Sequence, residues 1–395
     1  MNAPKLRFKE FNDEWKITNI NEQCEVFGRI GFRGYTTNDL VEKGQGAISL
    51  SPSNIKGTSL NIEKENTYIS MFKYEESPEI KIYNNDIIFV KTGSSYGKVA
   101  LIEGLNELAT INPQLIVLKN IKCNNKVLCE LLNDNRIQIQ VEQTVVGGTI
   151  PTLSQAEFKK YKFYLPQENE QNKIGKLLKL LDKKIELQTK KIENLKLFKL
   201  YTENSLLNSS SSIHWKKLKL NDILIEGNKE PVKNTNDFKK ITIKLNLNGL
   251  EFNESKREMS DKRPFYIREE NEIIIGKQNY FNGSIAIVTK EFSGSICSNA
   301  IMSFKVKEGY NLKYIYLYLS QKRYMKEREF LANGTGQKEL SEKEFLKFTI
   351  KVPEDSVVNN ITNIIDKINT KINFENNKLN KLIELKKGLM QNMFV

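Results

Sequence analysis

Apolar residues recur in steps of three and four along two long stretches of the chain, 167–207 and 354–394, which lack proline and carry one glycine each. In the first, Ile174, Leu177, Leu178, Leu181, Ile185, Ile192, Leu195, Phe198 and Leu206 form one stripe, the pattern of a long amphipathic helix. Adding 187 to each number lands on Ile361, Ile364, Ile365, Ile368, Ile372, Leu379, Leu382, Leu385 and Met393, all apolar. Gln188 and Glu375 interrupt the two stripes at the matched place. A polar group there either fixes the register of two packed helices or reaches solvent. Elsewhere the period is short. Runs rich in β-branched residues at 86–90, 100–103, 115–118, 272–275 and 284–288 predict strands.

The helical match belongs to a longer repeat. Asp86-Ile87-Ile88-Phe89-Val90-Lys91, with Gly97, Ala100 and Ile102, corresponds to Glu272-Ile273-Ile274-Ile275-Gly276-Lys277, with Gly283, Ala286 and Val288, at an offset of 186. At 187, Leu153, Ser154, Phe158 and Pro166 meet Leu340, Ser341, Phe345 and Pro353. Trp15 and Trp215 open the two halves at an offset of 200, so the halves differ in length mainly between their starts and residue 86. The organisation expected is a β-rich globular part over 1–166, a long helix over 167–207, a hinge over 208–213 built on Asn-Ser-Ser-Ser-Ser, a second globular part over 214–353 and a second long helix over 354–395.

Composition narrows the function. A chain of 395 residues exceeds what one core usually serves, and 39% hydrophobic residues with 28% charged ones describe globular units rather than disorder. No run of eighteen apolar residues and no signal-type start is present, so a cytoplasmic protein without membrane attachment is expected. The formal charge of +13 favours a polyanionic partner, nucleic acid ahead of a membrane surface. It is uneven: 20 basic against 19 acidic residues over 1–166, but 26 against 18 over 214–353. The long stretches are mixed in sign and read as spacers, not as basic helices that enter DNA.

Little chemistry is encoded. Cys24, Cys123, Cys129 and Cys297 match neither zinc nor disulfide spacing, and the single histidine, His214, cannot supply a triad or a zincin site. Asn112-Pro113-Gln114-Leu115 falls short of an adenine methyltransferase motif and reads as a turn into a strand. Gly93-Ser94-Ser95-Tyr96-Gly97-Lys98-Val99 is one residue short of a phosphate loop, and no glycine pattern makes a dinucleotide fingerprint. No catalytic or metal residue is assigned.

The matched loops are the candidates for binding. Lys91, Thr92, Ser94, Ser95, Tyr96 and Lys98 in the first half correspond to Lys277, Gln278, Asn279, Tyr280 and Asn282 in the second. A second shared loop carries Thr149 in one half and Thr335, Gln337 and Lys338 in the other. Lysine can hold phosphate, and Gln, Asn, Ser and Thr can read base edges. The same composition also suits plain hairpin turns. Arg257, Lys262, Arg263 and Arg268 add a basic cluster, for which a solvated face is the simpler role.

Several strings resemble one family over nearly the whole chain. Pro4-Lys5-Leu6-Arg7-Phe8 with Trp15, the helix start Pro166-Gln167-Glu168-Asn169-Glu170-Gln171-Asn172-Lys173-Ile174, and the closing Leu385-Lys386-Lys387-Gly388-Leu389-Met390-Gln391-Asn392-Met393-Phe394 resemble the specificity subunit of type I restriction-modification systems. The second helix start, Pro353-Glu354-Asp355-Ser356-Val357-Val358, departs from the Glu-Gln pattern. The resemblance implies an α+β fold of two target recognition domains, each reading half of a bipartite double-stranded DNA target, separated by two antiparallel coiled-coil helices. It implies a non-catalytic chain that positions two methyltransferase subunits, which carry S-adenosylmethionine, and restriction subunits. For partner binding it points to the helical stripes, at Ile174, Leu178, Leu181, Ile185, Ile361, Ile365, Ile368 and Ile372. A coiled-coil scaffold with duplicated β-rich modules and no specific DNA recognition is the alternative that composition leaves open.

Overall fold

The computed structural model describes residues 3–62, 65–145, 151–208, 215–253, 263–331 and 339–395. Of the expected hinge, only Asn208 lies within them. The two periodic stretches are continuous helices, α1 (Glu168–Leu207) and α2 (Asp355–Met393). The chain divides into unit 1, Met1–Lys190 with Asn376–Val395, and unit 2, Lys191–Glu375. The division therefore cuts both helices in mid-course instead of falling at their ends, because each helix end is sunk into a globular core. In unit 1, Ile174 and Leu178 of α1 share a core with Trp15, Phe158, Met393 and Phe394. In unit 2, Leu207 shares one with Tyr280, Phe345, Val358 and Ile361.

Within each unit the helix segments run antiparallel. Unit 1 sets Ile174 near Met393 and pairs Asp182 with Lys386 at 2.7 Å; unit 2 pairs Lys191 with Glu375 at 2.8 Å. Both interrupting residues are buried, Gln188 at 7% exposure and Glu375 at 1%, which removes the solvent-facing reading. Glu375 also binds Lys371, one turn earlier, at 3.1 Å. A carboxylate so deeply covered needs such cations, since an unpaired buried charge costs several kcal/mol.

Each unit is built on the same antiparallel sheet. In unit 1, Ile87–Val90 lies between Leu115–Lys119 and Val99–Leu101, with Glu25–Gly28 beyond; in unit 2, Ile273–Gly276 lies between Ile301–Val306 and Ile285–Ile287, with Leu224–Glu226 beyond. These central strands are buried on both faces, as their unbroken β-branched runs require. A separate antiparallel ribbon joins the two ends of each globular part: β1 (Lys16–Asn19) with β2 (Lys162–Leu165), and β3 (Lys216–Lys219) with β4 (Thr349–Val352). The halves diverge between the first sheet strand and the second. There, unit 1 carries a four-stranded sheet through Gly46–Leu50 and two short strands, Ile55–Lys56 and Ser59–Leu60, that extend its main sheet, while the described residues of unit 2 form two-stranded ribbons.

The motif at the start of α1 has a structural cause. Glu170, nearly fully buried, takes both forks of the Arg7 guanidinium at 2.8 Å, and Gln171 accepts from the backbone N–H of Asn124 while donating to the Pro166 carbonyl. The opening string and the helix-start string thus bind each other. At the start of α2 the matched positions are Val357 and Val358, which pack into the unit 2 core instead.

Unit 1 also clamps its helices by charge. Glu130 is 1% exposed and accepts from Lys126 at 2.6 Å, Lys386 at 2.7 Å and Thr58 at 3.2 Å; Asp182 closes the ring by pairing with both lysines. Burial lowers the Lys126 pKa, but Glu130 and Asp182 more than reverse this and keep it charged. At the matched places the described residues of unit 2 have Leu317 and Asn369 for Glu130 and Asp182, with Lys313 in an exposed pair with Asp366 and Lys199 in a partly covered one with Glu203. Glu130→Ala should therefore cost unit 1 about 3 kcal/mol, since buried Lys126 and half-buried Lys386 are left to share Asp182 alone. Lys313→Ala should cost unit 2 less than about 1 kcal/mol. Denaturant titration of the two variants checks the contrast.

Candidate nucleic-acid interface

The matched loops follow the second central strand of each sheet, and their backbones are pinned alike. In unit 1 the Lys91 carbonyl accepts from the Leu153 N–H at 2.8 Å; in unit 2 the Lys277 carbonyl accepts from Leu340 at 2.9 Å. The sequence identity shared by these two places therefore has a structural use, the pinning of the strand end at Lys91 or Lys277 to the backbone at Leu153 or Leu340. Thr92 forms a bridge with Thr152, and Gly97, at φ +86°, presents its carbonyl to Gln138 Nε2 at 2.9 Å. Gly283, at φ +79°, lies so close to the backbone of Asn246 and Leu247 that a side chain would collide with it.

The candidate side chains separate accordingly. Ser94 and Lys98 in unit 1, and Gln278, Asn279 and Asn282 in unit 2, are exposed and available to a ligand. Lys91, Thr92, Ser95 and Tyr96 are half-buried; Tyr96 packs on the core, and burial lowers the Lys91 pKa. Lys277 is half-buried too and lies 3.7 Å from Glu342. Tyr280 must be withdrawn from the reading surface. It is fully buried, packs edge-on against Phe345, and donates its hydroxyl to the Leu319 carbonyl at 2.9 Å. Thr149, Thr335, Gln337 and Lys338 lie outside the described residues, as do Arg257 and Lys262. Arg268 is 2% exposed and donates to Cys297 Sγ and the Asn228 carbonyl, so it belongs to the interior and not to a basic face. An analogous buried guanidinium, Arg29 of unit 1, went unnoticed in the sequence; it is held by the Ile111 and Arg33 carbonyls and the Thr110 hydroxyl.

The stripe residues assigned to partner binding are likewise consumed within the chain. Ile174, Leu178, Leu181, Ile361, Ile365 and Ile372 are buried, and Ile185 and Ile368 are half-buried. A side chain that already covers a helix partner or a core has no area left for another subunit. The apolar side chains that the helices do present to solvent are others, among them Leu187, Phe198, Phe374 and Leu385.

Among the described residues no group of three or more His, Cys, Asp or Glu side chains could hold a metal ion. The four cysteines are free, and burial pushes the thiols of Cys24, Cys123 and Cys129 up to about 12. No helix of the described residues is long and apolar enough to cross a membrane.

The type I restriction modification DNA specificity domain matches twice, over residues 12–197 and 213–385. The chain belongs to that family. It is a non-catalytic, sequence-specific DNA-recognition subunit with two recognition domains, and the scaffold alternative falls away. The chain is similar in fold to the S subunit of a type I restriction-modification system from M. genitalium, at 15% identity and a TM-score of 0.58, covering 100% of this chain and 99% of that one. A second similar structure comes from work on complex assembly and conformational transition of the type I R-M system, at 13% identity and a TM-score of 0.54, covering 95% and 96%. No curated protein matches the sequence.

Because Tyr280 is held in the core, Tyr280→Phe should lower stability by about 1–3 kcal/mol, leaving the Leu319 carbonyl unpaired. The DNA sequence recognised should not change. Thermal unfolding and methylation mapping in the assembled system check the two halves of this statement.

Proposed function

We propose that each unit reads one half of a bipartite duplex target and that the chain holds two copies of an adenine methyltransferase subunit, which supply S-adenosylmethionine and the methyl transfer in the cytoplasm; restriction subunits join the same assembly. The observation that carries this reading is the duplication itself. Sheet, pinned loop, ribbon and helix recur in the same order, so one chain offers two similar surfaces to two copies of one partner. Exposed Asn279, Gln278 and Asn282 in unit 2 and Ser94 and Lys98 in unit 1 are suited to base edges and phosphates. A helix of about 40 residues spans about 60 Å, which limits the unread spacer between half-sites to less than about 18 base pairs.

For the methyltransferase, exposed apolar positions of the helices replace the buried stripe residues; Leu187 and Phe374 lie off the stripe, and Phe198 and Leu385 are stripe positions that remain exposed. Leu187 (56% exposed) and Phe374 (61%) are matched by the repeat, and so are Phe198 (58%) and Leu385 (52%). Unit 1 holds Leu187 and Leu385; unit 2 holds Phe374 and Phe198. Each unit thus presents one member of each pair, as two equivalent docking surfaces require.

Exchange of residues 1–166 for the same part of a relative should change one half of the methylated sequence and leave the other unchanged. A scrambling of both halves in a folded, active complex would sink the two-reader proposal. Leu187→Glu with Leu385→Glu should leave one methyltransferase bound per chain in place of two, as read by native mass; two retained copies would place docking elsewhere.

A further inference from the structure

The ribbons that join the ends of the two globular parts are equivalent in backbone and opposite in surface chemistry. In unit 2, Lys217 is the direct cross-strand partner of Lys351, and Lys219 follows two residues on, so all three project from the same face. All three are exposed, while Leu218 and Ile350 turn toward the core. In unit 1 the matched positions are Ile17, Tyr164 and Asn19. A fourth exposed lysine, Lys343, stands where unit 1 has Ala156. Four uncharged positions of unit 1 are cations in unit 2, and one change runs the other way: exposed Lys162, opposite Asn19 on the same face of unit 1, is matched by Thr349.

Three of these lysines contradict local stability. Like charges directly opposite in an antiparallel pair repel, which is the arrangement of Lys217 and Lys351. Asn19 caps the short helix that follows β1 by accepting from the Glu22 N–H, whereas Lys219, at the same place before Leu220–Ile223, has no acceptor to offer and brings a positive charge to a helix start. Among the described residues Lys217, Lys219, Lys343 and Lys351 form no ion pair. The carboxylates nearby are engaged: Asp222 accepts from the Lys219 N–H, Glu344 holds Lys347, and Glu226 and Glu342 hold Lys229. Lys219 and Lys343 also face a cleft of about 930 Å³ that includes Lys277, Lys347 and Glu339. Residues that break local rules without compensation inside the fold mark a surface shaped by something outside it.

We infer that the β3–β4 lysine face of unit 2 binds the phosphate backbone of the duplex irrespective of base sequence, and that unit 1, with Lys162 alone on the matched face, grips it more weakly. This rests on the DNA-reading function proposed above, and it deepens it: the two recognition domains contribute unequally to affinity. Phosphate neutralisation releases counterions, and each contact adds about 0.9 to the steepness of log affinity against log salt.

The test is equilibrium binding of the full chain, in complex with its methyltransferase, to target and random-sequence duplexes over a salt series. The triple variant Lys217→Gln, Lys219→Gln, Lys351→Gln should flatten the slope by about 2–3 for both duplexes alike. The methylated sequence should not change, and the Lys→Arg triple should restore the slope. An unaltered slope in the Gln triple overturns the inference while leaving DNA recognition standing. Loss of methyltransferase assembly with an unaltered slope overturns it in favour of a protein-docking face. A wild-type complex that binds no duplex with salt dependence overturns the DNA reading itself.

Discussion

A helix of about forty residues with an apolar stripe along its length cannot stand alone in water, and here each such helix is covered by the other and by the globular parts it joins. Ile174 and Leu178 at one end of α1, and Leu207 at the other, are buried in different cores. The helix is therefore a shared component of both units, fixed at its ends by packing and by charge, and the same holds for α2. Everything else about the chain follows from this arrangement. Most of the stripe is used in holding the fold, recognition falls to loops and strand faces, and exposed side chains such as Leu187, Phe374, Phe198 and Leu385 are the apolar surface left for other subunits.

The two ends are secured by different physics. Unit 1 uses ionic and hydrogen-bonded groups with very little access to water: Arg7 on Glu170, Gln171 between two backbone groups, and Glu130 between two lysines. Unit 2 uses valines and aromatic rings at the corresponding helix start, with Tyr280, Phe304 and Phe348 each set against Phe345. Hydrophobic packing tolerates small displacements, whereas bidentate ion pairs demand one geometry. The repeat thus preserved the backbone plan while the means of attachment diverged.

The features legible in the sequence were those with a local cause. Helical periodicity over 167–207 and 354–394, and the β-branched runs, reflect how each residue meets its near neighbours, and both appear in the fold within a residue or two at their ends. Loop side chains are a different problem. Tyr280 and Asn279 are adjacent in a polar-aromatic loop, yet one is in the core and the other in solvent, a difference set by Leu319 and Phe345 far along the chain. The opposition of Lys217 and Lys351 is equally hidden, because it exists only once β3 and β4 are paired. The helical stripe was read correctly as apolar and wrongly as free, since periodicity states that a face will be covered but not by what.

The interleaved composition of unit 1 has a consequence for the making of the protein. Its core includes Met393 and Phe394, the ring of Phe394 lies edge-on to Trp15, and the Leu6 N–H donates to the Asn392 carbonyl. Unit 2 is a continuous stretch, but unit 1 needs residues on both sides of it. At synthesis rates of about 5–20 residues per second, the roughly two hundred residues after Lys190 take on the order of 10–40 s. During that interval the first recognition domain to leave the ribosome exposes the apolar seat around Trp15 and Ile174, so the unit begun first is finished second.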